Sequence, residues 1–237
     1  MPGPPRRIPP ILSNSPSQWI NRLAERYAAF AALAVTAEER RRLEAWLIEL
    51  FVQATLEIEP LEALPNLRAQ VTNALREVIG LTNAEGQQAR LTPERLIKLG
   101  GAGFRTDDAG AEGSTAQLPA AYVAQAVGNA CDWFAAESFT ELNPIEQAAI
   151  VLLRLATIRP FAQANQATAL VAASLFTRRA GLPPLLIKPE LHTAFRQAML
   201  ESEQMNMQPL VELMADAVSS TLGEMVSFVR QARGERG

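Results

Sequence analysis

The chain has 237 residues, 48% of them hydrophobic and 20% charged, which is enough apolar material to bury a sizeable core. A formal net charge of −3 leaves no overall basic field to draw in a phosphate backbone, so nucleic acid is not an expected partner. A single cysteine, Cys131, and a single histidine, His192, exclude an internal disulfide and any thiolate or multi-histidine metal cluster.

Residues 1–16 are Pro-rich, carry two arginines and lack a sustained apolar run, which reads as an extended arm and not as a secretory signal. No apolar run approaches the ~20 residues of a membrane span. A cytoplasmic location without a membrane partner is the expectation. From 17 to 33, Trp19, Ile20, Leu23, Tyr27, Phe30 and Leu33 recur at helical steps. Thr36-Ala37-Glu38-Glu39 is a capping box opening a second helix through Leu43, Trp46, Leu47, Leu50 and Phe51 to about Ile58, where Pro60 stops it. The basic run Arg40-Arg41-Arg42 is flanked by acids and reads as a solvated face. Residues 66–79 repeat the helical pattern, and Thr92-Pro93-Glu94 opens a short helix with cap, proline and acidic first turn.

The segment 100–118 breaks the pattern with glycines at 100, 101, 103, 110 and 113, accompanied by Asp107, Asp108, Ser114 and Thr115. It is predicted as a loop with at most one small hairpin around residues 104–107. Helices resume over 119–137, where Cys131 reads as a small buried hydrophobe. Asn143-Pro144-Ile145-Glu146 caps the next helix, apolar nearly all round to Ile158 and so expected at the centre of the domain. A break at Arg159-Pro160-Phe161 leads into a helix over 165–180, ended by Gly181, Pro183 and Pro184. Helices over 189–203 and 208–231 follow, with His192 in a structural place, at the surface or half-buried, in the first turn of the former. The fold class is all-α.

The stretch 143–184 resembles the Fic (Fic/Doc, or Fido) family. There a buried helix runs into a loop reading His-Pro-Phe-x-(Asp/Glu)-Gly-Asn-Gly-Arg-x-x-Arg that opens the next helix. The same place here reads Arg159-Pro160-Phe161-Ala162-Gln163-Ala164-Asn165-Gln166-Ala167-Thr168-Ala169-Leu170. Gly103-Phe104-Arg105 and the glycine-rich loop after it are similar to the family's flap. Thr55-Leu56-Glu57-Ile58-Glu59-Pro60 is similar to its inhibitory helix, in which the glutamate, here Glu59, pairs with the second motif arginine. The resemblance covers about 91–229. It implies a Fic-type helical bundle, divided as a Pro-rich arm (1–16), an N-terminal helical region (17–90) and a Fic-like core with closing helices (91–232).

The resemblance also implies what the motif should lack. The family's histidine is the general base toward a target hydroxyl; Arg159 stands there, and an arginine side chain offers donors only. The family's acid holds Mg²⁺, and Gln163 is neutral. Ala164 and Gln166 add a Cβ to both flanks of Asn165, where glycines would let backbone N–H groups approach phosphate. Ala167 and Leu170 replace the two phosphate-neutralising arginines, so Glu59 has no cation to meet. Asn165 is expected as a helix N-cap, Phe161 as a core anchor, and Thr55 and Glu59 as one helix face. Arg159 is read either as a partner for a phosphate or carboxylate, or as a structural arginine bonding nearby carbonyls or an acid.

The expected function is a pseudoenzyme, inactive in AMP transfer and acting by binding a protein partner or as a regulatory module. No cofactor is expected, and homo-oligomers are compatible with it. The alternative is a Fic-type adenylyltransferase of altered chemistry, which would need ATP and Mg²⁺ and a base among Asp107, Asp108, Glu112 and Glu59. A plain helical interaction protein is the third reading.

Overall fold

The computed structural model describes residues 18–58, 66–108 and 118–234. The Pro-rich arm, Pro60, Glu59 and Glu112 lie outside the described residues. Within them the chain forms ten α-helices and no strand. They are α1 (Gln18–Ala31), α2 (Ala37–Ile58), α3 (Leu67–Glu85), α4 (Pro93–Gly100), α5 (Val123–Ala135), α6 (Glu137–Thr140), α7 (Pro144–Ile158), α8 (Asn165–Arg179), α9 (His192–Glu203) and α10 (Gln208–Ala232). The all-α expectation holds, and residues 104–107 form no hairpin.

Local capping signals place the helix starts. The Thr36 hydroxyl accepts from the Glu39 N–H at 3.2 Å while the Glu39 carboxylate accepts from the Thr36 N–H at 2.8 Å. Asn143 and Glu146 make the same reciprocal pair at the start of α7, and Thr92 caps α4 by accepting from the Arg95 N–H. Glu38 meets Arg41 and Arg42 on an exposed face, so that part of the basic run is the solvated surface expected of it.

The centre is an antiparallel pair, α7 and α8. Every residue from 167 to 177 in α8 is buried, against α7 on one side and α2, α3 and α4 on the others. Alanines at 148, 149, 167, 169, 172 and 173 let these backbones approach closely, and all are buried. The long α10 packs on α1, α9 and α7. One hydrophobic cluster runs from Trp19 in α1 to Val229 in α10, so the helices of 17–90 share their core with those of 91–232.

Three expectations need correction. The helix expected to end at 79 continues to Glu85, because Gly80 sits where no neighbour is needed and Thr82 is buried, its hydroxyl donating to the Val78 carbonyl. The chain turns at Gly86, which has φ +56. The helix expected over 119–137 is broken: a 3-10 turn at Ala120–Tyr122 precedes α5, and Ala136 is extended before α6. The break returns Phe139 to the core, where it meets Phe134 at 5.2 Å and Phe176 at 5.8 Å. His192 is buried, not surface or half-buried, with Nε2 at 3.2 Å from the Ile187 carbonyl. Cys131 is the buried hydrophobe expected, and burial pushes its thiol up to about 12.

Candidate functional site

The loop joining α7 to α8 is held by four local devices. The first is the helix end itself. Arg159 closes α7 in the left-handed region, φ 50 and ψ 65, with its N–H donating to the Leu155 carbonyl at 2.9 Å. A left-handed residue is a common way to end a helix, but one with a Cβ carries a strain of about 1–2 kcal/mol.

Arg105 is the second device. It comes from the segment after α4, and its side chain is 3% exposed. Its Nε donates to the Arg159 carbonyl at 2.9 Å, and its backbone N–H donates to the next carbonyl, Pro160, also at 2.9 Å. Two orphan carbonyls beyond the end of α7 are thereby satisfied by one residue. The other arm of the guanidinium donates to the Leu118 carbonyl and to Asp108 at 2.8 Å. Asp108 also accepts from the Ala120 N–H at 2.8 Å. Arg105 thus ties three stretches of chain together: its own segment, the loop and the approach to α5.

The third device is Phe161, 3% exposed beneath the loop. Its ring lies 5.7 Å from that of Phe104, and a Cβ placed on Gly100 would fall 2.3–2.7 Å from it. Gly100 is therefore required by the ring, whereas nothing lies within 4 Å of a Cβ on Gly103. Phe161 is the core anchor expected.

Asn165 is the fourth, and here the expected role is corrected. Its amide does not cap α8. The carbonyl oxygen accepts from the Phe161 N–H at 2.9 Å and the NH2 donates to the Phe161 carbonyl at 2.8 Å, closing the loop on itself. The residue before α8 is Ala164, with φ 56 and no side chain to cap with. The positive φ that suits glycine is thus retained on an alanine.

What remains accessible is a short surface: Arg159, Ala162 and Gln163 exposed, Asn165 and Gln166 half-buried. Arg159 is exposed, and its guanidinium makes no hydrogen bond or ion pair with another described residue. Pro160, Ala167 and Leu170 are buried, Leu170 within the apolar interior of α8. Thr55 is buried on α2, which packs against α8; Glu59, its companion, lies outside the described residues. Among the described residues no three His, Cys, Asp or Glu side chains gather as a metal-binding group. Sequence reasoning missed the bridging role of Arg105 and the need for Gly100. The signal for the first was an arginine inside a Gly-rich loop, and for the second a helix ending on two successive glycines.

Comparison with known proteins follows the same lines. Residues 83–177 match the model of the Fic/DOC family. Among curated relatives, protein adenylyltransferase fic-1 of Caenorhabditis briggsae is 25% identical over 113 residues, 48% of this chain and 22% of that protein. The corresponding protein of Caenorhabditis elegans is 29% identical over 109 residues, 46% of this chain and 22% of that one. The chain therefore spans under a quarter of the length of these relatives. Among solved structures, Fic-1 from C. elegans superposes with a TM-score of 0.71 at 19% identity, covering 88% of this chain and 71% of that one. A Fic-domain-containing signaling protein from Bacteroides thetaiotaomicron gives 0.72 at 15% identity, covering 91% and 98%. The similarity in fold reaches well beyond the matched segment. Residues 83–177 thus match the Fic/DOC family model, and the helices of the chain take the fold of Fic-domain proteins.

Proposed function

We propose that this Fic-fold chain does not transfer AMP and works by binding a protein partner or as a regulatory module. The observation that carries the reading is the exposed Arg159 guanidinium at the end of α7, where the family resemblance puts the proton acceptor. A donor-only side chain cannot take a proton from an attacking hydroxyl.

The residues present do not fit a magnesium-bound triphosphate. At the metal position Gln163 offers one neutral carbonyl oxygen, a weak ligand for a hard dication. At the arginine positions stand Ala167 and Leu170, both buried and apolar, so no cation faces the loop from the first turns of α8. No step is derived through nucleotide or metal. Losing one preorganised donor typically costs about a hundredfold in rate, and here base, metal ligand and both cations differ together.

The names of the curated relatives favour a second reading, protein adenylyl transfer by altered chemistry. It needs another base. Of the acids on the family's plan, Asp108 is already engaged by Arg105 and the Ala120 N–H. Calorimetric titration of the full chain with ATP and Mg²⁺ tests the site directly. The expected result is no saturable binding that depends on the loop. Micromolar binding that Arg159→Ala or Asn165→Ala weakens would contradict it.

A further inference from the structure

At the opposite ends of α7 and α8 from the 159–165 loop lies a cavity of about 560 Å³. The two helices have 15 residues each, which puts it ~20 Å from that loop. The volume is in the range of small-molecule sites. Its lining includes the apolar Phe134, Leu142 and Leu182 and two arginines, Arg90 and Arg179.

Arg179 is held in a way that ordinary surface arginines are not. Its guanidinium carbon sits 4.3 Å from the centre of the Phe176 ring. One nitrogen donates to the Gln147 side-chain oxygen at 2.6 Å and another makes a long contact, 3.4 Å, with the Ala89 carbonyl. Gln147 is 4% exposed, and its own NH2 is spent on the Leu142 and Thr140 carbonyls. A buried amide with every group engaged is a fixed mount, and it presents the guanidinium to the cavity. Of five N–H donors, two have partners, and no carboxylate pairs with Arg179 among the described residues. Arg90 adds a second positive charge, while Glu137 is the acid on the wall. Burial first and the Arg90 charge second push the Arg179 guanidinium down to about 10, so the charged form sits in a setting that does not yet compensate it.

We infer that this cavity binds a small organic oxyanion, a phosphate or carboxylate on an aromatic or apolar body, with Arg179 and Arg90 on the anion and Phe134 and Leu142 along the body. The planar guanidinium fork suits two oxygens of such a group. The site is separate from the loop that carries the proposed function and stands whether or not that loop transfers AMP.

Calorimetric titration of the full chain with phenyl phosphate and with benzoate tests it, with inorganic phosphate and phenol as the two halves. At least one of the whole probes should bind saturably, at least tenfold more tightly than either half. Arg179→Gln and Arg90→Gln should each weaken binding about tenfold, the loss expected for one charge-assisted contact, while Arg159→Ala leaves it unchanged. Arg90 is exposed, so its substitution reads out even if Arg179→Gln impairs folding. No saturable binding of either probe, or binding indifferent to Arg90→Gln, overturns the inference.

Discussion

Replacing Arg105 by alanine should loosen the 159–165 loop without touching either central helix. The side chain is almost fully buried and donates to the Arg159 and Leu118 carbonyls. Each such charge-assisted bond contributes about 1.5–3 kcal/mol net, and its loss leaves an acceptor in need of a partner. The third partner, Asp108, is 58% exposed, so screening holds that pair to under about 1 kcal/mol. The sum is about 3–7 kcal/mol, less whatever water recovers at the vacated carbonyls. For a chain of this size that lowers Tm by roughly 10–20 °C. Arg105→Lys keeps a cation but cannot span three acceptors, and should fall between. Thermal unfolding gives the total; native-state hydrogen exchange gives the location, with the Arg105 and Phe161 amides losing protection and those of 148–155 unchanged. A loss under about 1 kcal/mol with Phe161 protection intact would refute the bridging role of Arg105.

Further perturbations probe the neighbouring devices. Gly100→Ala drives a Cβ into the Phe161 ring and should cost about 1–3 kcal/mol, as overpacking does; the double variant with Phe161→Leu should recover part of that in a denaturant cycle. Ala164→Gly relieves a left-handed alanine and should raise stability by up to about 1 kcal/mol, the gain in strain being offset in part by unfolded-chain entropy; a fall in the urea midpoint counts against the φ assignment. Glu39 is held down to about 2 from an ordinary 4.5, chiefly by its hydrogen bond with Arg233 and then by the Thr36 N–H. Its depressed carboxyl stabilises the fold fully above 4.5 and progressively less as pH falls toward 2. Urea midpoints from pH 7 to pH 2.5 should therefore decline less in Arg233→Gln than in the parent, and parallel curves would contradict the pairing.

What the residues disclosed before the fold depended on range. Signals confined to one turn were legible: the boxes at Thr36 and Asn143, the cap at Thr92, and the all-round apolar character that puts α7 in the middle. The motif loop was legible as a place, since Pro160, Phe161 and Asn165 mark it in order. Its inner workings were not. Asn165 has the composition of an N-cap, yet its amide spans back to Phe161, a choice made by the loop's path and not by the residue. Arg105 and Arg159 are 54 positions apart, and no local pattern announces that bond. The break at Ala136 is set by where Phe139 must go, and the passage of α3 through Gly80 by what Ile79 and Thr82 bury, since a mid-helix glycine costs only about 1 kcal/mol.

Transfer of label from α-labelled ATP to proteins of a cell lysate bears most directly on the account, because it asks whether Arg159 and its loop can do chemistry at all. With Mg²⁺ present and hours of incubation, incorporation by the parent chain should equal that of Arg159→Ala and of a blank without protein. Labelled protein bands that the parent produces above both would mean another group accepts the proton, and the chain would have to be read as an adenylyltransferase.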